Sequence, residues 1–290
     1  MKGWAYGLIA AAAVFWGIVS LFVKGLSAYG FSALQLVAIR AVTGAAILTL
    51  YLAITDRSLL RIRLADGKYF VGTGIFSIVF FNWCYFTAIQ ETSVAVAAIL
   101  LYTAPAFVII LARIFFHEAL TGRKMAALTA TLAGCILVAG APSGLDGAIG
   151  LRGLLVGLGA GVGYALYSIF GKFALAHYRP LTVTTYTFLF AAAAMLPVSG
   201  LWQERELFLQ WPVAAYSLGF GLLSTAAAYL CYTVALTYVE PGRASIAATL
   251  EPVVAALVGT LVFGQGLTAW QVGGMVLILT AVVAVQERNT

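Results

Sequence analysis

The chain has 290 residues, of which 63% are hydrophobic and only 9% charged. A soluble domain carries about 25% charged residues, so this composition excludes a water-facing surface and leaves a polytopic protein embedded in lipid. The net charge of +6 does not point to nucleic acid: Lys and Arg fall mostly in short loops, where they orient membrane spans, and no basic stripe is interleaved with aromatics.

Ten stretches reach the roughly 20 residues needed to cross a bilayer. The first is Trp4–Leu26. Its start, Met1–Ala13, resembles a signal peptide, but the apolar run continues through Val23 and carries bulky Phe15 and Trp16, so the sequence predicts a retained span. Trp16 and Ser20 lie at mid-depth. The second span, Phe31–Ala53, holds Arg40 near its middle. An arginine there needs a partner or water, and three roles are open: a structural anchor, a snorkelling side chain, or a ligand for a substrate carboxylate. A linker over Thr55–Lys68 leads to the third span, Tyr69–Ile89, with Asn82 and Tyr85, and to the fourth, Val94–Phe115, with Tyr102 and Pro105.

The fifth span is Gly122–Gly140, followed by a linker to Gly150 and the sixth span, Leu151–Phe173. Gly153, Gly157 and Gly161 recur every fourth residue on one helix face, a pattern for close helix packing; a phosphate loop would need a preceding strand. The same span carries Tyr164, Tyr167 and Ser168 at depth, and Lys172 near its end, expected to snorkel as does Lys24. The seventh and eighth spans are Leu181–Gly200 and Trp211–Tyr238, the latter with Tyr229 and Tyr232. The ninth, Ala244–Phe263, contains Glu251 and Pro252; the tenth is Ala269–Gln286.

Shifted by 147 positions, Cys84-Tyr85 meets Cys231-Tyr232, Pro105 meets Pro252, Phe116 meets Phe263 and Leu120-Thr121 meets Leu267-Thr268. Five spans per half force the second copy into the membrane upside down. The sequence therefore predicts an all-α polytopic membrane protein, ten transmembrane helices arranged as two inverted five-helix repeats, residues 1–143 and 148–290. Inverted repeats are characteristic of secondary transporters. The loops with Arg57, Arg61, Arg63 and Lys68, with Arg123 and Lys124, with Arg179 and with Arg243, and the tail with Arg288, all fall on one side; only Lys24, Arg152 and Arg205 fall on the other. That bias places both termini in the cytoplasm and the protein in the cytoplasmic (inner) membrane.

Glu251 follows Arg243 by eight residues, about 12 Å into its span at 1.5 Å per residue. A carboxyl at that depth must face protein or water. It either handles cargo, as an amine ligand or proton carrier, or pins neighbouring helices through a hydrogen bond. Its repeat partner is Ala104, so the duplicated fold does not require it. Pro105 and Pro252 remove a backbone donor inside their spans, which makes a kink or an opened helix beside a cavity. Tyr102, Tyr164 and Tyr229 are too central for an interfacial belt; with Trp16, Asn82 and Tyr85, also at mid-span depth, they either pack the core or line an amphipathic cavity. The three aspartates, Asp56, Asp66 and Asp146, lie in loops, and His117 and His177 at span ends. Cys84, Cys135 and Cys231 have no metal or redox spacing. With no HExxH, buried Asp pair or Ser–His pair at one depth, a membrane hydrolase has little support, and neither a metal nor a cofactor is implied.

Leu250-Glu251-Pro252-Val253-Val254 through Gly264-Gln265-Gly266-Leu267-Thr268, and Thr103-Ala104-Pro105-Ala106-Phe107 through His117-Glu118-Ala119-Leu120-Thr121, resemble the drug/metabolite transporter superfamily, EamA type. Phe15-Trp16-Gly17 and Ile39-Arg40 fit as well, and the resemblance covers essentially the whole chain. It implies a ten-helix exporter or exchanger of small metabolites, often amino acids, with a cavity lined by spans one, three, four, six, eight and nine. That supports Trp16, Asn82, Tyr85, Tyr102, Tyr164, Tyr229 and Glu251 as substrate-binding candidates, with Glu251 also the proton-coupling candidate. One departure stands out: Gln265 replaces the acid usual after span nine, whereas the first half keeps Glu118, so the second acid is not expected to be needed. The expected function is secondary transport of amine-bearing metabolites, amino acids foremost, by alternating access; cationic or quaternary ammonium cargo is the alternative. A sensor or scaffold would need output domains, and a channel would need charge rings. The partners implied are a small molecule, the bilayer and a proton; nucleic acid is excluded, and monomer and homodimer both stay open.

Overall fold

The computed structural model describes residues 3–140 and 150–286. Met1, Asp146 and Arg288, and the linker joining the halves, lie outside the described residues. Eight helices among those described are long and apolar enough to cross a membrane. In chain order the helices are α1 (Gly3–Ser27), α2 (Ala33–Thr55), α3 (Leu64–Glu91), α4 (Val94–Phe116), α5 (Gly122–Val138), α6 (Leu151–Leu175), α7 (Pro180–Ser199), α8 (Trp211–Tyr238), α9 (Pro241–Phe263) and α10 (Ala269–Val285). The shorter two, α5 and α10, have 17 residues each. At 1.5 Å per residue that is about 25 Å, less than a typical hydrocarbon core. No strand occurs among the described residues.

Side-chain caps start these helices where the sequence changes from loop to apolar run. Ser32 Oγ accepts from the Gln35 amide at 3.3 Å while Gln35 Oε1 accepts from the Ser32 amide at 2.8 Å. Thr268 and Gln271 make the same reciprocal pair before α10, and Ser93 and Thr121 cap α4 and α5. Each cap satisfies amides that have no partner inside the helix. The ends of α4 and α9 match as well. His117 and Gly264, 147 positions apart, both adopt left-handed backbone, and the next amide reaches back to Ala112 and Gly259 respectively. Glycine takes that conformation freely; histidine does so here at a cost.

Packing follows the small residues. A Cβ on Gly157 would sit 2.3 Å from Leu100 Cδ1, and one on Gly161 would sit 3.0 Å from the Leu100 carbonyl, so the glycine face of α6 is where α4 rests. α5 and α10 pack together at Gly134 and Gly274, whose backbones are too close for any side chain. The outward surface is apolar: Leu261 is 81% exposed and Ile54 75%, as side chains facing lipid would be.

Three helices are interrupted. α1 breaks at Ile18, α4 at Tyr102–Thr103 and α9 at Thr249, the last two just before Pro105 and Pro252. α3 and α8 each contain a widened π-helical stretch, Val71–Val79 and Leu222–Ala227. The breaks in α1, α4 and α9 come together beside one cavity.

Candidate functional site

The interruptions surround a cavity of about 500 Å³. It extends to the end of the bundle where Ser27, Ala33, Ile89 and Val94 sit, at the α1–α2 and α3–α4 turns. Trp16 lies in the last turn of the first segment of α1, which ends at Gly17, directly against Val254 of α9. Its ring meets Tyr229 edge-on at 5.1 Å and Tyr164 at 6.3 Å. Glu251 occupies the first turn of the second segment of α9, a position where the unpaired amides of a helix N-terminus favour negative charge. Its Oε2 accepts a hydrogen bond from the Tyr164 hydroxyl at 3.2 Å.

The structure brings Trp16, Asn82, Tyr85 and Tyr102 to the wall of this cavity, together with Tyr164, Tyr229 and Glu251. Their individual geometry differs. Asn82 spends its amide Nδ2 on the Ile78 carbonyl of its own helix at 2.7 Å, and Tyr85 stacks on Phe81 at 6.0 Å. Tyr102 sits at the break in α4. Tyr167 and Ser168 point elsewhere: they pair with Thr233 at 2.6 Å and Tyr232 at 2.8 Å, fastening α6 to α8. Pro105 and Pro252 follow the breaks but do not line this cavity. Pro105 instead borders a void of about 10 Å³ behind Glu251, shared with Tyr102, Ser245 and Thr249.

The lining set is wider than the expected six spans. α2 contributes Leu36, Val37 and Arg40, because Arg40 is turned inward rather than toward lipid or the interface. Its Nη2 donates to the Ser224 carbonyl at 3.2 Å, inside the π-helical stretch of α8, and its guanidinium lies 5.2 Å from the Phe220 ring. Lys172 also departs from expectation: Nζ reaches the Leu236 carbonyl at 2.6 Å instead of snorkelling outward. Lys24 is exposed, with its ammonium 3.5 Å over the Phe263 ring.

At the opposite end of the bundle the interior is closed. Lys124 Nζ lies 2.9 Å from both Glu118 Oε2 and Glu240 Oε2, and Arg243 Nε lies 3.1 Å from Glu240 Oε2. Lys124 is only 2% exposed. Burial works to raise the Glu240 carboxyl, but the hydrogen bond and charge of Lys124 and the charge of Arg243 outweigh it and hold the group below its ordinary value. The sequence placed Lys124 among the loop charges. The missed signal was periodicity: Lys124 lies on one face with Ala127, Leu128, Thr131 and Gly134, the buried face of α5. No group of three metal-ligating side chains occurs among the described residues.

An apolar-surfaced helical bundle, with broken helices around an aromatic-lined central cavity that carries a few charged and polar groups and opens at one end, fits a multi-pass membrane transporter. The EamA-like transporter family model matches residues 3–140 and again 151–286, and the chain belongs to that family. An uncharacterized transporter of Archaeoglobus fulgidus is 30% identical over 94% of this chain and 93% of its own length. The threonine/homoserine exporter RhtA of Escherichia coli K12 is 30% identical over 72% of this chain and 66% of its own. A solved crystal structure superposes with a TM-score of 0.82 at 18% identity, covering 98% of this chain and 96% of that one, which establishes likeness of fold alone.

Proposed function

We propose that the protein is a secondary transporter that exports small amine-bearing metabolites, amino acids foremost, across the cytoplasmic membrane. In this reading all ten helices span the bilayer as two inverted five-helix repeats, residues 1–143 and 148–290, with both termini cytoplasmic. The cavity then opens to the exterior, the ion cluster closes the cytoplasmic side, and alternating access rocks the halves about the centre. The observation that carries the reading is Glu251, a carboxylate at a helix break on the wall of an aromatic-lined cavity. Glu251 pairs with the cargo ammonium, and Trp16, Tyr164 and Tyr229 hold its apolar part. The relatives described as threonine/homoserine exporters support amino-acid cargo.

The same aromatic rings with one acid also suit a quaternary ammonium ion. Counterflow in proteoliposomes with amino acids and choline-like cations, at two pH values, separates the two readings. Glu251→Gln is expected to abolish transport or its pH dependence while the purified protein stays folded. Undiminished, pH-dependent flux in that variant would remove Glu251 from the mechanism.

A further inference from the structure

The cavity has a second pole. Arg40 is 8% exposed and Trp16 7%, yet Arg40 Nε, Trp16 Nε1 and Ser20 Oγ are buried with no hydrogen-bond partner. All three side chains belong to the wall of the central cavity. Buried donors are almost always paired, so three orphans on one wall are donors left over for an acceptor from outside the chain, which these side chains would turn slightly to meet. Arg40 is tied to the Ser224 carbonyl, which is neutral, and to the faces of Phe220 and Tyr229. No carboxylate of a described residue pairs with it. Its charge is therefore held in place without a direct ion pair, although the field of Glu251 reaches it across the cavity. Glu251, the opposite charge, lines the same cavity and makes its hydrogen bond to Tyr164 rather than to Arg40.

We propose that Arg40, with Ser20 and Trp16, forms a carboxylate-binding subsite, so that the cargo is a zwitterion held by its carboxylate at Arg40 and by its ammonium at Glu251. The ammonium half of this statement rests on the function proposed above; the carboxylate half stands on the Arg40 wall alone. A guanidinium offers directional donors to a carboxylate, and the Ser20 hydroxyl and Trp16 indole can donate to its remaining lone pairs. Bare amines and quaternary ammonium ions leave those donors unpaired and are rejected on that account.

The test uses the full-length protein purified in detergent, with ligand binding read as thermal stabilisation. The probes are the proteinogenic L-amino acids, their decarboxylated amines and their deaminated acids; for threonine these are 1-amino-2-propanol and 3-hydroxybutyrate. Wild type is expected to bind an amino acid at least about tenfold more tightly than its amine, as loss of a charge-assisted hydrogen bond implies. Arg40→Gln should erase that preference while retaining amine binding. Glu251→Gln should do the converse, weakening amines and leaving the deaminated acids. The proposal is overturned if wild type prefers amines to their parent amino acids, if Arg40→Gln weakens amines and amino acids equally, or if it weakens neither. Arg40-dependent binding of deaminated acids without any binding of amines would refute the amine reading and uphold the carboxylate subsite. Should Arg40→Gln fail to fold, Ser20→Ala removes one donor without touching the Arg40 anchor. It should weaken amino acids severalfold and amines not at all, and an equal effect on both refutes the subsite.

Discussion

The central residues differ in how much of their role their position fixes. Glu251 was visible in the sequence because a carboxyl eight residues beyond Arg243 has no inexpensive place in lipid, and its mismatch with Ala104 set it apart from the repeated scaffold. Its partner Tyr164 was visible only as one of several deep tyrosines. The structure distinguishes them: Tyr164 donates to Glu251, whereas Tyr167 and Tyr232 donate to or accept from hydroxyls that join α6 to α8. Tyr164→Phe removes one hydrogen bond and keeps the ring against Trp16 and Phe81. The freed carboxylate loses its fixed orientation, and a hydrogen bond to a charged group is worth about 1.5–3 kcal/mol. The expected result is a KM for transport raised about tenfold with the melting temperature nearly unchanged; an unaltered KM would show that Tyr164 does not position the acid.

At the scale of elements, the span pattern and the glycine face of α6 were legible because both are periodic. The π-helical stretches in α3 and α8 were not, since their small and hydroxyl residues, such as Gly72, Thr73, Gly74, Ser224 and Thr225, occur equally in regular membrane helices. For the same reason the Ser224 carbonyl as anchor of Arg40 was not legible, and Arg40 stayed open among three roles. The interruption of α4 is supported from behind by α6. At Gly161 an added Cβ would approach Thr103 Oγ1 to 2.7 Å and the Leu100 carbonyl to 3.0 Å, at the break itself. Backbone cannot yield as a side-chain tip can. Gly161→Val should therefore push α4 away, lowering thermal stability by about 1–3 kcal/mol equivalent and displacing Tyr102 from the cavity wall. Thermal unfolding of the purified variant together with transport measures both effects, and a variant as stable and active as wild type would rule out close packing of α6 against the α4 break.

For the whole molecule the question is what holds one end shut. Lys124 and Glu118 come from the first half of the chain, Glu240 and Arg243 from the second, so the cluster ties the halves together across the end opposite the cavity mouth. Alternating access requires that tie to break and reform. Glu240→Gln removes its cross-half charge while leaving the buried Lys124–Glu118 pair intact. Glu240 is 40% exposed at its side chain, so solvent screens the interaction, and roughly 1–2 kcal/mol is a reasonable cost, a shift of about 5- to 30-fold between closed and open ends. The pH dependence has a definite sign. The latched state holds the Glu240 carboxyl below its ordinary value of 4.5, so it binds protons less readily than the unlatched state. Its contribution is complete above 4.5 and is lost as pH falls through the depressed value. Spin labels at Leu120→Cys and Tyr238→Cys, both exposed at the latched end, read the separation of the two halves by pulsed dipolar spectroscopy. Near neutral pH the wild-type protein should give one short distance, and Glu240→Gln should add a longer population. Wild type should acquire that longer population only in acid below the ordinary carboxylate value, while the variant should not respond there through this group. A distance distribution indifferent to both the substitution and the acid would mean that the cluster is a static rivet and does not gate this end.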